Sequence, residues 1–356
     1  MASLTPTAYY ARLAIKYGGM ALIALMVGRF TWGRVVAYWE ATHPKAPPPP
    51  DVAFGVLPNI RFPTKFQPAV SYSSEFPTGQ VPTLIDRAAV YLVPAKKSPL
   101  LALDEAKVVA KSFGFEAEPI QRSEELYQFA KESPLPATVD MYIYWGVFIL
   151  STDWSKDPDF LTTKRLPTEE QAIDEVKSTL KKAGLLDTDL INGEVKITYL
   201  KAVNGVYRET VSLSEADFIQ VDLYREGVTE TTPGYTPDPR QGLVRAVVSG
   251  NPKMRIVQLE YYYYPIDSNT AGIYPLKSTE QAWAELQAGN GYIAQLDPDI
   301  SSVVVRRLNL GYYESFQPQY YYQPIYVFRG DNNFVGYVEA VAPPTQLPTL
   351  TPEPPA

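Results

Sequence analysis

Asp153, Asp157 and Asp159, in the run DWSKDPD, and Asp297 and Asp299, in DPD, are the carboxylates whose spacing has chemical potential. A carboxylate pair can serve glycoside hydrolysis, and an oxygen cluster can bind calcium. Neither run matches an EF-hand loop, and Asp-Pro is ordinary turn chemistry, so turns are expected at both. Other reactive sets are thin. Cys is absent, which removes thiol catalysis and thiolate metal sites. The one histidine, His43, lies beside a proline run. The rest of the chain therefore has no imidazole for a Ser/His triad, a His metal site or a near-neutral proton shuttle. No G-x-x-x-x-G-K-S/T, G-x-G-x-x-G, H-E-x-x-H or G-x-S-x-G run occurs. No catalytic residue, metal ligand or cofactor is expected, and the chain reads as a non-enzyme.

Phenols are the abundant functional group, with 26 tyrosines. They cluster at Tyr261–Tyr264, Tyr312-Tyr313 and Tyr320–Tyr322. In a strand, Tyr261 and Tyr263 face one side and Tyr262 and Tyr264 the other. An exposed tyrosine offers a flat apolar face with a polar tip, useful against a peptide, a glycan or a partner protein. Tyr261, Tyr263, Tyr312, Tyr313, Tyr320, Tyr321 and Tyr322 are therefore the candidate interaction residues. The competing reading is cross-strand packing inside a sheet.

The elements that would position them follow from periodicity. A helix is expected over Ser98–Phe115, with Ala102, Ala106, Val109, Ala110 and Phe113 on one face and Gly114 as its stop. A second runs from Thr168 to about Ala183, opened by a Thr168/Gln171 capping box and closed by Gly184. A third starts at Ser278 with Gln281. Strands are expected at Arg87–Pro94, Leu126–Lys131, Val139–Tyr144, Val147–Thr152, Glu194–Val203, Asp217–Tyr224, Leu243–Val248, Met254–Tyr264, Val303–Leu310, Pro324–Phe328 and Phe334–Val341. Trp145-Gly146 reads as a tight hairpin turn, and Thr231–Gln241 as a loop. Phe54–Gln80 has too many prolines for a central strand and reads as an extended edge segment packing Leu57, Ile60 and Phe62.

At the N-terminus, Tyr17–Trp39 (YGGMALIALMVGRFTWGRVVAYW) reads as a transmembrane helix. Lys16 and Arg34 are about 27 Å apart along a helix, close to the thickness of a hydrocarbon core, so each reaches a different interface. Arg29 can bend its stem outward to the Arg34 side, and Tyr17, Trp32, Tyr38 and Trp39 suit the interfacial belts. Within this span, Ala24 and Gly28 form a small-xxx-small pair for another helix, and Arg29 could meet a carboxylate of a partner. Thr42–Asp51 (THPKAPPPPD) reads as a stiff polyproline spacer. The favoured topology places the N-terminus inside and the globular part outside the cell membrane. A net charge of −7 and a pI near 5.0 disfavour nucleic acid as a partner.

The expected class is α+β: one N-terminal transmembrane helix, then helix-plus-antiparallel-sheet units. The divisions are 1–16 cytoplasmic, 17–39 span, 40–52 tether, 53–160 and 161–265 as two α+β units, 266–342 as a third, and 343–356 a disordered Pro-rich tail. The units look like loose duplicates, since TEEQAIDEV at Thr168–Val176 parallels STEQAWAEL at Ser278–Leu286, and Asp104-Glu105-Ala106 sits at the same place in the first helix.

Units opening in this way resemble PepSY-like domains. The third is similar to the extracytoplasmic regulator family YycI, through Ser278–Leu286, then Leu310-Gly311-Tyr312-Tyr313, then Gln323–Phe328 (QPIYVF). The resemblance implies an anchored regulator that restrains a membrane histidine kinase through span and ectodomain contacts. The expected function is thus an anchored extracytoplasmic protein acting by protein–protein interaction, regulating or scaffolding a membrane partner. The alternative is a cell-wall or glycan-binding surface module that uses its Tyr-rich strands.

Overall fold

The computed structural model describes residues 16–22, 25–26, 28–29, 31–32, 48–64, 67–94, 99–162, 165–229 and 232–343. Ala24, most of the tether and the tail from 344 lie outside the described residues. Two compact units divide the chain, Met1–Pro49 and Pro50–Ala356. In the first, the described residues between 16 and 32 are helical and exposed, Gly28 and Arg29 among them. Leu22, Leu25, Met26 and Trp32 all stand exposed there. Among the described residues no helix is long and apolar enough to cross a membrane.

The second unit is mixed α+β, with far more strand than helix. It begins with β1 (Ser71–Ser74), β2 (Arg87–Leu92), α1 (Pro99–Ser112), β3 (Ile120–Gln121), β4 (Leu126–Lys131), β5 (Ala137–Tyr142) and β6 (Val147–Thr152). Next come α2 (Glu169–Lys182), α3 (Thr188–Asn192), β7 (Val195–Val203), β8 (Val206–Thr210), β9 (Phe218–Leu223), β10 (Gly234–Tyr235), β11 (Val244–Ser249) and β12 (Ile256–Tyr261). It closes with β13 (Asp267–Pro275), α4 (Thr279–Gln287), β14 (Tyr292–Gln295), β15 (Ser302–Tyr313), β16 (Tyr321–Tyr322), β17 (Pro324–Gly330) and β18 (Val335–Glu339).

Local chemistry explains the helix ends. At α2 the Thr168 hydroxyl accepts from the Gln171 N–H at 3.2 Å, and the Gln171 side chain accepts from the Thr168 N–H at 3.0 Å. Ser278 and Gln281 repeat both bonds at α4. Each box satisfies two N–H groups that the first turn would leave bare. Gly114, Gly184 and Gly289 follow α1, α2 and α4 at positive φ, where a Cβ would be strained. Replacing Thr168 with Ala removes one of the two bonds and is expected to lower stability by about 1 kcal/mol, read as a fall in the denaturant midpoint.

Nine strands form one antiparallel sheet in the order β3-β4-β5-β6-β12-β11-β9-β7-β8. The meander after α1 and the meander after α2 meet edge to edge where β6 pairs with β12, Phe148 opposite Tyr261 and Leu150 opposite Leu259. Both helices cover the same face. Ala102, Ala106 and Ala110 of α1 and Ala172, Val176 and Leu180 of α2 share one core with Val139, Leu150, Val221 and Leu259. The small residues of α1 let it lie close on the sheet.

A second sheet runs β1-β15-β17-β18-β14, with β10 also on β15, and a third runs β13-β2-β16. Ala282 and Leu286 of α4 pack over the second sheet against Val303, Val305, Phe328 and Val338. The N-terminal extended segment joins these C-terminal strands rather than α1. Ser71 pairs with Ser302, and Phe62 stacks on Tyr292 with ring centres 5.0 Å apart. The expected loop at Thr231–Gln241 contains β10, whose Gly234 and Tyr235 lie parallel to Tyr312 and Tyr313.

Candidate ligand-binding groove

A groove of about 1030 Å³ opens between the outer face of the nine-stranded sheet and the segment joining β15 to β16. Period-two alternation builds its first wall. Val139 and Met141 of β5 point into the core, so Asp140 and Tyr142 point out. On β6 Phe148 and Leu150 are buried while Ile149 faces outward. The β5–β6 connection is four residues long, because Ile143 is buried and ends the strand at Tyr142. Gly146 then turns at φ 62°, its N–H donating to the Tyr142 carbonyl at 2.8 Å, and Trp145 is held at the lip.

Phe316, Gln317, Pro318 and Tyr320 make the second wall. Rings bridge the two. Tyr262 lies 4.9 Å from Phe316, and Trp145 meets Tyr320 edge-on at 5.8 Å. Tyr320 is 58% exposed and Tyr142 45%, so their faces are free for a ligand. Beside the rings runs a polar chain. Arg122 donates to the Gln128 side-chain carbonyl, and Gln128 donates onward to Asp140 at 2.8 Å. Among the described residues of the same lining Arg61 and Arg122 face Glu125 and Asp140, two charges of each sign.

The two walls are fixed relative to one another by a buried arginine. The Arg225 side chain is 3% exposed. Its Nε donates to Glu314 at 2.9 Å, one Nη to Asp189, and the other to the Tyr264 carbonyl at 2.5 Å. Its plane lies over the Tyr263 ring at 4.4 Å. Tyr263 donates to Asp189 at 2.8 Å, and Tyr322 donates to Glu314 at 2.9 Å. Asp189 belongs to α3, under the large sheet, while Glu314 directly follows β15. One guanidinium fork therefore clamps both bodies. Burial works to lower the Arg225 pKa, but Glu314 and the groups around it win and hold the cation well above its ordinary value. Gly234 leaves the room for this node, since a Cβ there would come within 2.5 Å of the Glu314 carboxylate.

The tyrosines singled out by sequence fall in different places. Tyr320 lines the groove. Tyr321 is half-buried, 5.3 Å from Phe54. Tyr261, Tyr263, Tyr312, Tyr313 and Tyr322 are buried, so they form no exposed platform. Tyr261 donates to the Leu185 carbonyl at 3.0 Å, and Tyr312 donates to the Ala89 carbonyl at 2.7 Å while stacking on Tyr322. The physical reason is area: each ring removes a large apolar surface from water, and the hydroxyls of Tyr261, Tyr263, Tyr312 and Tyr322 keep partners. The expected alternation across Tyr261–Tyr264 holds, with Tyr261 and Tyr263 in the core under the large sheet and Tyr262 and Tyr264 on the other side beside Trp145, but both sides are covered.

Burial first of all pushes the phenols of Tyr207, Tyr262 and Tyr326 up to about 12. The folded chain thus holds these protons more tightly than the unfolded chain, whose phenols titrate near 10. That stabilisation is complete below about pH 10 and is lost as pH rises through the folded values. Unfolding midpoints are expected to hold at mildly alkaline pH and to fall between about pH 10 and 12, with phenolate absorbance rising alongside.

The carboxylate runs are turns. Asp153 accepts from Ser155 at 2.5 Å, Asp157 from the Asp159 N–H at 3.0 Å, and Asp297 from Asn333 at 2.9 Å. Among the described residues no group of three or more His, Cys, Asp or Glu is placed to hold a metal ion. Arg225, Asp189 and Glu314 were not marked by any motif, and Trp145 was marked only as part of a turn. The local signal is a charged pair, Arg225-Glu226, one residue past the apolar strand β9.

No protein-family model and no curated protein matches the chain. Among solved structures it is similar to an uncharacterized protein from Eubacterium rectale ATCC 33656, at 12% identity and a TM-score of 0.34, over 72% of this chain and 82% of that one.

Proposed function

We propose that this chain is a single-pass, membrane-anchored protein whose body lies outside the cytoplasm and works by contact, holding a glycan of the cell wall or surface in the aromatic groove. The groove lining carries the reading. Ring faces at Tyr142, Trp145 and Tyr320 suit the C–H face of a sugar, and the planar groups of Gln128, Asp140 and Arg122 suit its hydroxyls. Equal numbers of guanidinium and carboxylate groups favour an uncharged ligand over a polyanion. The anchor is supported by the exposed Leu22, Leu25, Met26 and Trp32, which a lipid phase would cover.

A protein partner at the membrane is the second reading, in line with the PepSY-like and YycI-like resemblance. The observation that favours it is separate from the groove: α1 leaves Leu101 and Val108 exposed. The intact chain in mild neutral detergent should be retained on purified wall polysaccharide and released by soluble fragments of it. Passage in the void volume would contradict the glycan reading. Carbonate-washed membranes should keep the chain, and release into the supernatant would contradict the anchor.

A further inference from the structure

We infer that the trough beside α1 docks a cationic amphipathic helix belonging to a membrane protein partner; this rests on the protein-partner reading above. Helical geometry separates two faces of α1. Ala102, Ala106 and Ala110 face the core. About two-fifths of a turn away, Leu101, Asp104, Glu105 and Val108 share a second face at i, i+3, i+4 and i+7. Leu101 is 55% exposed and Val108 70%. This face and the α2–α3 connection border a trough of about 490 Å³ floored by Leu185 and Pro265.

Among the described residues of that lining the charge has one sign: Asp104, Glu105 and Asp187 are its carboxylates, and none of the others is Lys or Arg. An apolar strip between carboxylates is complementary to a helix with an apolar stripe flanked by Lys or Arg. An acidic segment would be repelled, and a purely apolar one would desolvate Asp104 and Asp187 without adding a counter-charge. The floor is rigid, because Tyr261 and Tyr263 beneath it are tied to Leu185 and Asp189.

The test uses the full chain in neutral detergent and a fluorescent synthetic helix of about 18 residues, with Leu at i, i+3, i+4 and i+7 and Lys on both flanks. Anisotropy should saturate above the detergent baseline and weaken with added salt. Leu101→Ser with Val108→Ser should weaken binding by about tenfold or more. Asp104→Lys with Asp187→Lys should lose the Lys peptide and bind its Glu counterpart. Equal binding by both variants, equal binding of the Glu peptide to the unaltered chain, or no binding overturns the proposal. Self-association of the chain through Val108 without peptide binding also overturns it, in favour of a second copy. Photocrosslinking in native membranes separates the two failures. Partner capture only from sites away from Val108 sinks the trough alone, and capture from no site sinks the protein-partner reading with it.

Discussion

Arg225→Met is expected to destabilise the fold by about 3–5 kcal/mol, seen as a large drop in the denaturant midpoint of the full chain. The guanidinium is 3% exposed and Glu314 6%, so removing the cation strands a carboxylate with almost no water to solvate it. Asp189 loses its charged partner as well, though it is more open to solvent. The Tyr264 carbonyl and the Glu314 oxygen would each lose a donor. Arg225→Lys should fail nearly as badly, because an ammonium cannot reproduce the fork that reaches both carboxylates and the carbonyl. Adding Glu314→Gln to Arg225→Met should recover part of the loss, since the penalty comes mainly from the unpaired charge rather than from the missing contact. A single Arg225→Met cost below about 1 kcal/mol would show that the node is not what joins the two bodies.

Trp145→Ala combined with Tyr320→Ala is expected to weaken binding of wall polysaccharide fragments by about 2 kcal/mol or more, roughly thirtyfold in Kd, with the fold retained. Tyr320 is largely exposed, so the stability cost there is small. Trp145 also touches Tyr264 edge-on at 6.1 Å, so a modest loss accompanies that substitution. Phe substitutions should restore most of the binding, because the ring face and not the polar tip does the stacking. Gln128→Leu attacks the groove differently. It breaks the Arg122–Gln128–Asp140 chain while leaving the rings in place, and it should cost hydrogen-bonded selectivity between sugars more than overall affinity.

What could be read beforehand was local. The Thr168/Gln171 and Ser278/Gln281 spacings announced two capping boxes, and both are formed. Leu126–Lys131 and Val147–Thr152 are short runs rich in aromatic and branched residues, and they are strands with those bounds. Pairing across long separations was not readable. Nothing near Ser71 points to Ser302, and nothing near Leu150 points to Leu259, because strand partners are chosen by whole-sheet burial rather than by neighbours in sequence. The tyrosine clusters misled for the same reason. A strand pattern tells which side a ring faces, but both sides of these strands are covered by other layers. Trp145 was legible as part of a turn, yet its role at the groove lip depends on the distant Phe316–Tyr320 segment. The Arg225 node needed four separated stretches to converge, around 189, 225, 263–264 and 314–322, and single-sequence patterns carry no trace of such convergence.

Hydroxyl-radical footprinting of the full chain in native membranes, with and without added wall polysaccharide fragments, bears most directly on the central claim that the protein works by holding a ligand in the aromatic groove. The account predicts that oxidation of Tyr142, Trp145, Phe316 and Tyr320 slows together and saturably, while the half-buried Tyr207 on β8, at the opposite edge of the nine-stranded sheet, is unchanged. Saturating ligand that leaves these four rings as reactive as before would contradict it.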